Sequence, residues 1–547
     1  MSGTKVTPAA DGSSPRDDAG PPESSGRRGW FSPVAMIITG FTVIGLGLRL
    51  FLLSRPGYLL GVTQYDDGPY FGSALRLVHG ALPYRDFIIV QPPGITLLMS
   101  PAALLAQVTS TAWGMAAGRI LTVAASAAGI VLVGLLARHR GPLAVALACG
   151  LLAIFPGSLV AAHTVLLEPW VTLFCLIGAV TVLDRDQFAR SGRRLLWGGV
   201  AFGFAGAVEV WAIIPVAVVA VLLAREIRRA ALFVAGVAIG FCVPVIPFAA
   251  AAPRRFYNSF FAAQVFRVVP TRTPVEKRLR LMSGIGQLLH LGATGTLIAA
   301  LIIVIFVVSA FIAAWRISGR PLTGLDWFAV ATCTLVVLAF LWYAQFFLHF
   351  PAFLAPFLGL SIGLAAGRLA GAVATRGIDA PATQRSPGTW AQWAVVGLAA
   401  CAVVIFAVQQ GQSDLNATPR VTPAALRAVQ RIVPSGACVL TDQASFLIAA
   451  DRFYSDTPGC SQLVDAIGTD YALGHGRDAS SGAARFPAVD AYWTSAFRHA
   501  QYVWLSLRFN KRRIAWTPAL RSYFGDHFTR VYQDGTKDAL YARVSRG

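Results

Sequence analysis

Residues 64–94 read QYDDGPYFGSALRLVHGALPYRDFIIVQPPG and directly follow the first long apolar segment of the chain. Two adjacent carboxylates, Asp66 and Asp67, stand near the start of this stretch. An amphipathic segment, the neighbouring pair Arg85 and Asp86, and a Pro-Pro stop follow. All of these features lie just after the predicted end of an apolar helix, at the boundary between the membrane and water. The stretch therefore predicts a structured loop at a membrane surface, around which the rest of the chain is arranged.

The composition predicts a polytopic α-helical membrane protein. The 547 residues are 55 % hydrophobic and 13 % charged, whereas soluble domains are about 25 % charged. Several apolar runs reach the roughly 20 residues that cross a bilayer as a helix. The net charge of +20 comes almost entirely from arginine, which polytopic proteins concentrate in cytoplasmic loops. The basic balance therefore does not indicate nucleic-acid binding.

The distribution of arginine predicts the topology. The sequence Gly26-Arg27-Arg28 precedes the first span and places the N-terminus in the cytoplasm. Residues 94–109, interrupted by Pro101, are assigned to the membrane interface because the later basic clusters then fall inside. The predicted spans lie at about residues 32–53, 113–136, 142–160, 168–183, 195–210, 211–224, 231–251, 291–315, 326–343, 347–367 and 390–408.

Three parts of the chain follow from this topology. Residues 1–29 are rich in Gly, Ser, Pro and Asp and are expected to be a disordered cytoplasmic segment. Residues 30–411 are expected to form the transmembrane domain, with outer loops at 54–112 and 252–290. Residues 412–547 would then lie outside the plasma membrane, as would both loops.

The C-terminal part changes to a mixed polar composition. Strand-like runs at 437–441 and 502–506 alternate with helix-like runs at 423–432 and 518–524, which predicts a small extracytoplasmic α/β domain. Cysteines in apolar runs usually behave as small hydrophobic residues. Cys438 and Cys460 instead lie in this polar part, and we expect a disulfide between them in an oxidising exterior. Two unpaired buried thiols are the alternative.

The two adjacent carboxylates suggest acid–base chemistry. Like charges in a partly desolvated site raise one pKa, which makes a base usable near neutral pH. Such a base is needed to remove the proton of an acceptor hydroxyl as it attacks the anomeric carbon of a sugar carried on a lipid phosphate. Alternatively, Asp67 caps a helix that has Pro69 in its first turn. That alternative explains one carboxylate and leaves the other unexplained.

The order of features in residues 64–94 resembles the GT-C superfamily of polyprenyl-phosphate-sugar-dependent glycosyltransferases. The resemblance rests on the acidic pair, the amphipathic helix, the GALPYRDF turn at 80–87 and the PPG sequence at 92–94. It implies inverting transfer of a sugar, arabinofuranose or mannose as in similar actinobacterial enzymes, from a polyprenyl-phosphate donor. The acceptor would be a cell-envelope glycan, glycolipid or protein on the outer membrane face. The resemblance also implies that Asp66 is the general base, with Asp67 second.

Further site residues are implied by the same resemblance. Glu168 opens the fourth span in a Glu-Pro pair and would orient the acceptor or, together with Asp66, bind a divalent cation. An exposed interfacial glutamate is the alternative. His349 lies in a His-aromatic-Pro element that would face the donor, although an aromatic belt at the membrane surface also explains that segment. Glu209 stands where similar enzymes often have a phosphate-binding lysine, which puts that phosphate contact in doubt.

The remaining candidates divide between donor and acceptor. We expect Tyr70 and Arg85 on the donor side. The acceptor side or its surroundings would include Asp86, Gln91, His163 and Glu209.

The loop 252–290 carries a cluster of basic residues. Arginine binds phosphate in bidentate fashion, and Arg267 and Arg272 are predicted to hold the donor phosphate. Attraction to anionic lipid headgroups is the alternative.

Two rival functions remain open at this point. A lipid or glycan transporter would place charges in the middle of its spans. A scaffolding subunit that binds glycan through its C-terminal domain would tolerate substitutions in residues 64–94.

Overall fold

The computed structural model describes residues 32–268, 270, 272–378 and 387–544. The segment 1–29, expected to be disordered, lies outside these residues. The α-helices are α1 (Pro33–Ser54), α2 (Asp67–Val78), α3 (Gly94–Val108), α4 (Thr111–Ala137), α5 (Pro142–Ile154), α6 (Pro156–Ala162), α7 (Glu168–Val182), α8 (Gly192–Val208), α9 (Ile213–Leu223), α10 (Ile227–Ala251), α11 (Pro253–Phe256), α12 (Ala263–Val265), α13 (Val275–Ser283), α14 (Ile285–Leu288), α15 (Ala293–Ser318), α16 (Gly324–Trp342), α17 (Pro351–Ile378), α18 (Pro387–Leu415), α19 (Pro423–Ile432), α20 (Ala444–Ala449), α21 (Ala466–Leu473), α22 (Pro487–His499), α23 (Asn510–Arg513) and α24 (Pro518–His527).

The strands are β1 (Leu183–Asp184), β2 (Gln187–Phe188), β3 (Val439–Thr441), β4 (Tyr502–Ser506), β5 (Phe528–Asp534) and β6 (Asp538–Arg543). A π-helical turn covers Tyr257–Ala262. Short 3₁₀ turns cover Arg138–Arg140, Val210–Ala212, Ala479–Ser481 and Ala483–Arg485.

The helices confirm the prediction of a polytopic α-helical membrane protein. Within the described residues, seven are long and apolar enough to cross a bilayer, namely α1, α4, α10, α15, α16, α17 and α18, and the bent pair α5–α6 makes eight. Every predicted span coincides with a helix or helix pair. However, α7, α8 and α9 have only 15, 17 and 11 residues, so the count of eleven spans stays a prediction.

Helices α8 and α10 pack with their backbones almost in contact. A Cβ added at Gly203 would lie 2.1 Å from the carbonyl oxygen of Val237, and one added at Gly240 would lie 2.1 Å from that of Val200. Small residues four apart on each helix, including Gly199 on α8, create this close approach. Membrane helices use such stripes for association because lipid supplies no hydrophobic driving force between them.

The break between α5 and α6 is stabilised by a buried arginine. The two helices meet at 54°, and Pro156 lacks the N–H that would continue the helical ladder. Arg49 of α1 is fully buried and donates to the carbonyls of Ala153 and Leu152 at 3.0 and 3.3 Å. It also donates to Ser126 Oγ at 2.9 Å. The guanidinium therefore satisfies the carbonyls at the end of α5.

The C-terminal region is built on a mixed sheet with strand order β3-β4-β6-β5. Strands β3 and β4 are parallel, and the other neighbours are antiparallel. The strand-like runs predicted at 437–441 and 502–506 contain β3 and β4. A disulfide joins Cys438, just before β3, to Cys460, with the two Cα atoms 5.6 Å apart.

The C-terminal region packs directly on the first loop. Gln443 Nε2 donates to the carbonyl of Gln64 at 2.7 Å, and Tyr65 Oη donates to Asp465 Oδ1 at 2.9 Å. At Gly68 an added Cβ would lie only 2.5 Å from the backbone nitrogen of Ser445. We call the side of the helix array that carries this region the C-terminal face.

Enlarging Gly203 tests the close packing of α8 and α10. We expect Gly203→Ala to lower the free energy of unfolding by about 1–3 kcal/mol, the usual cost of overpacking. The added methyl group would meet backbone atoms of α10, which cannot move aside as the end of a flexible side chain can. Thermal unfolding of the purified protein in detergent measures the change. Gly206→Ala is the matched control on the same helix, since its nearest neighbour would be a ring carbon of Phe241 at 3.5 Å. Equal stability of both variants would contradict the packing described.

Candidate active site

A cavity of about 720 Å³, which we call the main cavity, opens at the C-terminal face. Its walls come from the first loop, from the ends of the membrane helices and from the C-terminal region. It brings together several residues singled out in the sequence, namely Asp66, Tyr70, Gln91, Glu168, Glu209, Arg267 and His349.

Two carboxylates face each other across a histidine. His349 Nδ1 lies 2.8 Å from Glu168 Oε1, and His349 Nε2 lies 3.9 Å from Asp66 Oδ2. Each residue lies at or just before the start of a helix. Asp66 precedes α2, Glu168 is the first residue of α7 ahead of Pro169, and His349 lies two residues before α17. Glu168 is only 1 % exposed, so the alternative of an exposed interfacial glutamate is wrong.

Electrostatics at this cluster favour a base at Asp66. Burial raises the pKa of Asp66 to about 6, His349 opposes this rise, and the charges of Asp465 and Glu168 add to it. Burial lowers the pKa of His349, but the charges of Glu168 and Asp66 outweigh it, so the net shift is upward. The two carboxylates thus favour the charged form of the imidazole, and the Asp66 side chain keeps 31 % of its surface exposed.

Asp67 has a different role from its neighbour. Its side chain is fully buried and pairs with Arg119 at 2.9 Å, and the same oxygen accepts hydrogen bonds from Thr63 and Thr164. The helix-cap alternative for Asp67 is wrong: α2 begins at Asp67, and Asp66 holds the cap position without a capping bond. The ion pair with Arg119 holds the Asp67 carboxylate in the protein interior, whereas the Asp66 carboxylate lies beside the main cavity.

Aromatic side chains form one wall of the main cavity. Trp211 lines it and packs edge-on against Tyr343 and Phe350, with ring centroids 5.2 and 5.9 Å apart. Phe260 and Phe261 of the π-helical turn continue this wall. The wall offers a large apolar surface next to the carboxylates.

The C-terminal region supplies a polar wall that sequence reasoning missed. Asp465 accepts hydrogen bonds from Tyr65 Oη and from the backbone of Gly468. Arg513 stacks over the Tyr65 ring at 4.5 Å. Neither Asp465 nor Arg513 lies near a recognisable motif. Both are hundreds of positions away from the first loop in the sequence, so no local pattern could have indicated that they contact it.

The basic loop contributes one of its two predicted phosphate ligands to the main cavity. Arg267 lines the cavity, donates to Gln345 Oε1 at 2.5 Å and lies 4.2 Å above the Tyr471 ring. Arg272 is exposed and does not line the cavity. Arg278 of the same loop is buried and donates to the carbonyls of Phe340, Tyr343 and Ala344, which end α16.

Three further sequence candidates lie outside the main cavity. Arg85 and Asp86 form an exposed ion pair at 2.8 Å in the wall of another cavity, of about 760 Å³, which we call the second cavity. His163 is buried at the end of α6, apart from both cavities.

A divalent cation bound by Asp66 and Glu168 stays a prediction. The His349 ring occupies the space between Asp66 and Glu168. Within the described ranges, no group of three or more His, Cys, Asp or Glu side chains is arranged to hold a metal ion. We therefore assign no step to a metal.

Comparison with known proteins identifies the fold. The sequence matches no known protein-family model and no curated protein sequence. The structure is similar to ArnT from Cupriavidus metallidurans bound to undecaprenyl phosphate, with a TM-score of 0.56 and 15 % identity over 93 % of this chain and 99 % of that chain. The apo form of that ArnT gives a TM-score of 0.57 and 15 % identity over 94 % and 99 %.

An archaeal structure shows the same likeness. The apo oligosaccharyltransferase of Archaeoglobus fulgidus matches with a TM-score of 0.55 and 12 % identity, covering 95 % of this chain and 75 % of that chain. At these identities the likeness shows the fold. The similarity of fold is confirmed at that level, and membership of the GT-C superfamily stays a prediction.

Removing the partner of Asp67 tests the buried ion pair. We expect Arg119→Met to lower the free energy of unfolding by about 3–5 kcal/mol, because it leaves a buried charge without a partner. The double variant Arg119→Met/Asp67→Leu should be more stable than Arg119→Met alone. Thermal unfolding in detergent gives both values. Arg427→Met, on an exposed arginine, is the control, and a loss as large as that of Arg119→Met would contradict the assignment.

Proposed function

We propose that this protein is a membrane-embedded glycosyltransferase that moves a sugar from a polyprenyl-phosphate donor to an acceptor hydroxyl, with Asp66 as general base. The observation that carries the proposal is the meeting of Asp66, Glu168 and His349 in a cavity with one aromatic and one polar wall. The fold supports it, since ArnT of similar fold was solved bound to undecaprenyl phosphate.

The two walls of the main cavity suit the two halves of a lipid-linked sugar. The aromatic wall around Trp211 and Phe350 would contact the first isoprene units. The polar wall with Asp465 and Arg513 would contact the sugar. Arg267 lies between them and would pair with the phosphate, where a guanidinium stabilises charge that develops on the leaving group. Glu209, in the position of the expected lysine, makes this arginine the better phosphate ligand.

The step itself is a single displacement. Asp66 accepts the proton of the acceptor hydroxyl as its oxygen attacks the anomeric carbon. The bond from that carbon to the phosphate oxygen breaks, and polyprenyl phosphate leaves with inversion at the sugar. Glu168 holds His349, whose positive charge keeps Asp66 oriented and limits its basicity. Arabinofuranose and mannose are the sugars that the sequence resemblance favours, and a cell-envelope glycan, glycolipid or protein is the favoured acceptor.

The proposed orientation places the C-terminal face outside the cytoplasm. The turns on the opposite face carry nine arginines within 138–140, 185–194 and 225–229, as the positive-inside rule requires of cytoplasmic turns. The disulfide between Cys438 and Cys460 also fits an oxidising exterior. No nucleotide sugar is needed on that side, because the donor is carried on the lipid.

The second cavity is the proposed acceptor cleft. It is lined by polar side chains including Arg85, Asp86, Arg255 and Asn258, with Tyr492 as an aromatic surface. Only a thin wall separates the cavities, since Ser259 of the π-helical turn faces the second cavity and the next residue, a phenylalanine, faces the main cavity. A polar cleft with an aromatic surface suits a hydroxyl-rich chain.

Substitution of Asp66 tests the base. We expect Asp66→Asn to reduce transfer at least about 100-fold, within the range for a general base. The wild-type kcat/KM should fall about tenfold per pH unit below pH 6, because the base works only when deprotonated and the pKa of Asp66 is raised to about 6. The assay measures transfer from a panel of radiolabelled polyprenyl-phosphate sugars, including arabinofuranose and mannose.

Asp526→Asn serves as the control for this assay, because that carboxylate is exposed in the C-terminal region, away from both cavities. Normal transfer by Asp66→Asn would overturn the assignment of the base.

Substitution of Arg255 tests the acceptor cleft. Arg255 Nη1 donates to the carbonyl of Arg85 at 2.5 Å in the cleft wall. We expect Arg255→Gln to raise the KM for the acceptor about tenfold, the effect of losing one charge-assisted hydrogen bond, and to leave the KM for the donor unchanged. Initial rates at varied acceptor and donor give both constants. Arg254→Gln, next in the chain and outside the cleft lining, should leave both unchanged; a matching rise in donor KM for Arg255→Gln would refute the assignment.

A further inference from the structure

A small space lies beside Glu168, distinct from the main cavity. Its lining includes Ser126, Leu152, Ser158, Glu168 and Thr172. The volume open to the centre of a water-sized sphere is about 10 Å³, which is the room that a single water molecule needs. The space is therefore too small for a substrate and large enough for one water.

Three buried polar atoms converge on this space. Glu168 Oε2, Ser158 Oγ and Thr172 Oγ1 are each buried and have no hydrogen-bond partner among the described residues. Their residues are 1 %, 4 % and 7 % exposed, and all three line the same space. Buried polar groups are nearly always paired with protein or with ordered water, so one shared partner would satisfy all three atoms.

A fourth group connects the space to a buried positive charge. Ser126 also lines it, and its Oγ accepts a hydrogen bond from Arg49 Nε. Because the hydroxyl accepts from Arg49, its own proton is free to point into the space. Arg49 has no carboxylate within 4 Å among the residues that the structure describes. Ser126 thus connects Arg49 to the space that Glu168 lines.

We propose that one buried water fills this gap, donates a hydrogen bond to Glu168 Oε2 and links it to Ser158, Thr172 and, through Ser126, to Arg49. A water has two donors and up to two acceptor positions, and buried waters typically make about three hydrogen bonds, so it matches this set. A metal cation is a poor occupant because the Arg49 guanidinium lies behind Ser126. The pair Arg49 and Glu168 is then an ion pair bridged by a hydroxyl and a water.

Ser158 and Thr172 thereby become positioning residues for the proposed reaction. With Oε2 held by the water, Oε1 of Glu168 stays directed toward His349, and His349 stays directed toward Asp66. Neither hydroxyl touches a substrate in the main cavity. Their effect on transfer rests on the proposed function, whereas the water itself does not.

An experimental structure at a resolution that shows ordered waters tests the water directly. We expect a single density peak within hydrogen-bond distance of Glu168 Oε2, Ser158 Oγ and Thr172 Oγ1 in the wild type, and loss of that peak in Thr172→Val, which keeps the side-chain shape. Direct hydrogen bonds from Ser158 or Thr172 to Glu168 with no peak between them would overturn the proposal. So would a peak with the short, many-liganded contacts of a metal ion. This readout is decisive even if the protein transfers no sugar.

A kinetic comparison tests the positioning role. We expect Thr172→Val to lower kcat about threefold to tenfold with unchanged KM for the lipid donor, and Thr172→Ser to restore kcat because it keeps the hydroxyl. The matched control is Thr181→Val on the same helix, where the hydroxyl bonds within the helix to Ile177. An unchanged kcat in Thr172→Val, or equal losses in Val and Ser variants, would refute the positioning role. Absence of transfer by the wild type would instead refute the proposed function.

Discussion

The buried pair of Arg119 and Asp67 fixes the geometry on which the candidate site depends. Arg119 is held on α4 and donates to the carbonyls of Tyr58 and Leu59 as well as to Asp67. Thr164, four residues before Glu168, bonds to the same carboxylate. One guanidinium thus ties the first loop to the segment that begins α7. Removing either charge costs several kcal/mol, because neither has water to replace its partner.

Arginine serves three physical roles in this basic chain, and composition cannot separate them. Turns on the face opposite the C-terminal region carry clusters of arginines, and the proposed orientation places these turns in the cytoplasm. Arg49 and Arg278 are buried and bind backbone carbonyls where helices break or end. Arg267 lines the main cavity. The guanidinium suits all three roles because it has five donors in a fixed plane and stays charged when buried.

Much of the fold could be predicted from the sequence, whereas the site could be predicted only in part. Apolar runs of bilayer length and their proline breaks are local, so the helices were found close to their observed bounds. Asp66, Glu168 and His349 lie beside such proline breaks, and this position made them recognisable in the sequence as candidate site residues. Asp465 and Arg513 come from elements whose approach to the first loop is set by tertiary packing. The inward orientation of Asp67 depends on Arg119, the one charged residue of the span predicted at 113–136, and the sequence does not show which group this arginine pairs with.

The hydrogen bond from Tyr65 to Asp465 joins residues 400 positions apart, and this separation has a consequence for biosynthesis. At about 5–20 residues per second, roughly 20–80 s pass between the synthesis of the two partners. During that interval the first loop has emerged without the polar wall that completes the main cavity. A nascent chain therefore displays its acidic loop before the main cavity is complete. The cavity acquires its polar wall only when the C-terminal region has been synthesised and has docked on the first loop.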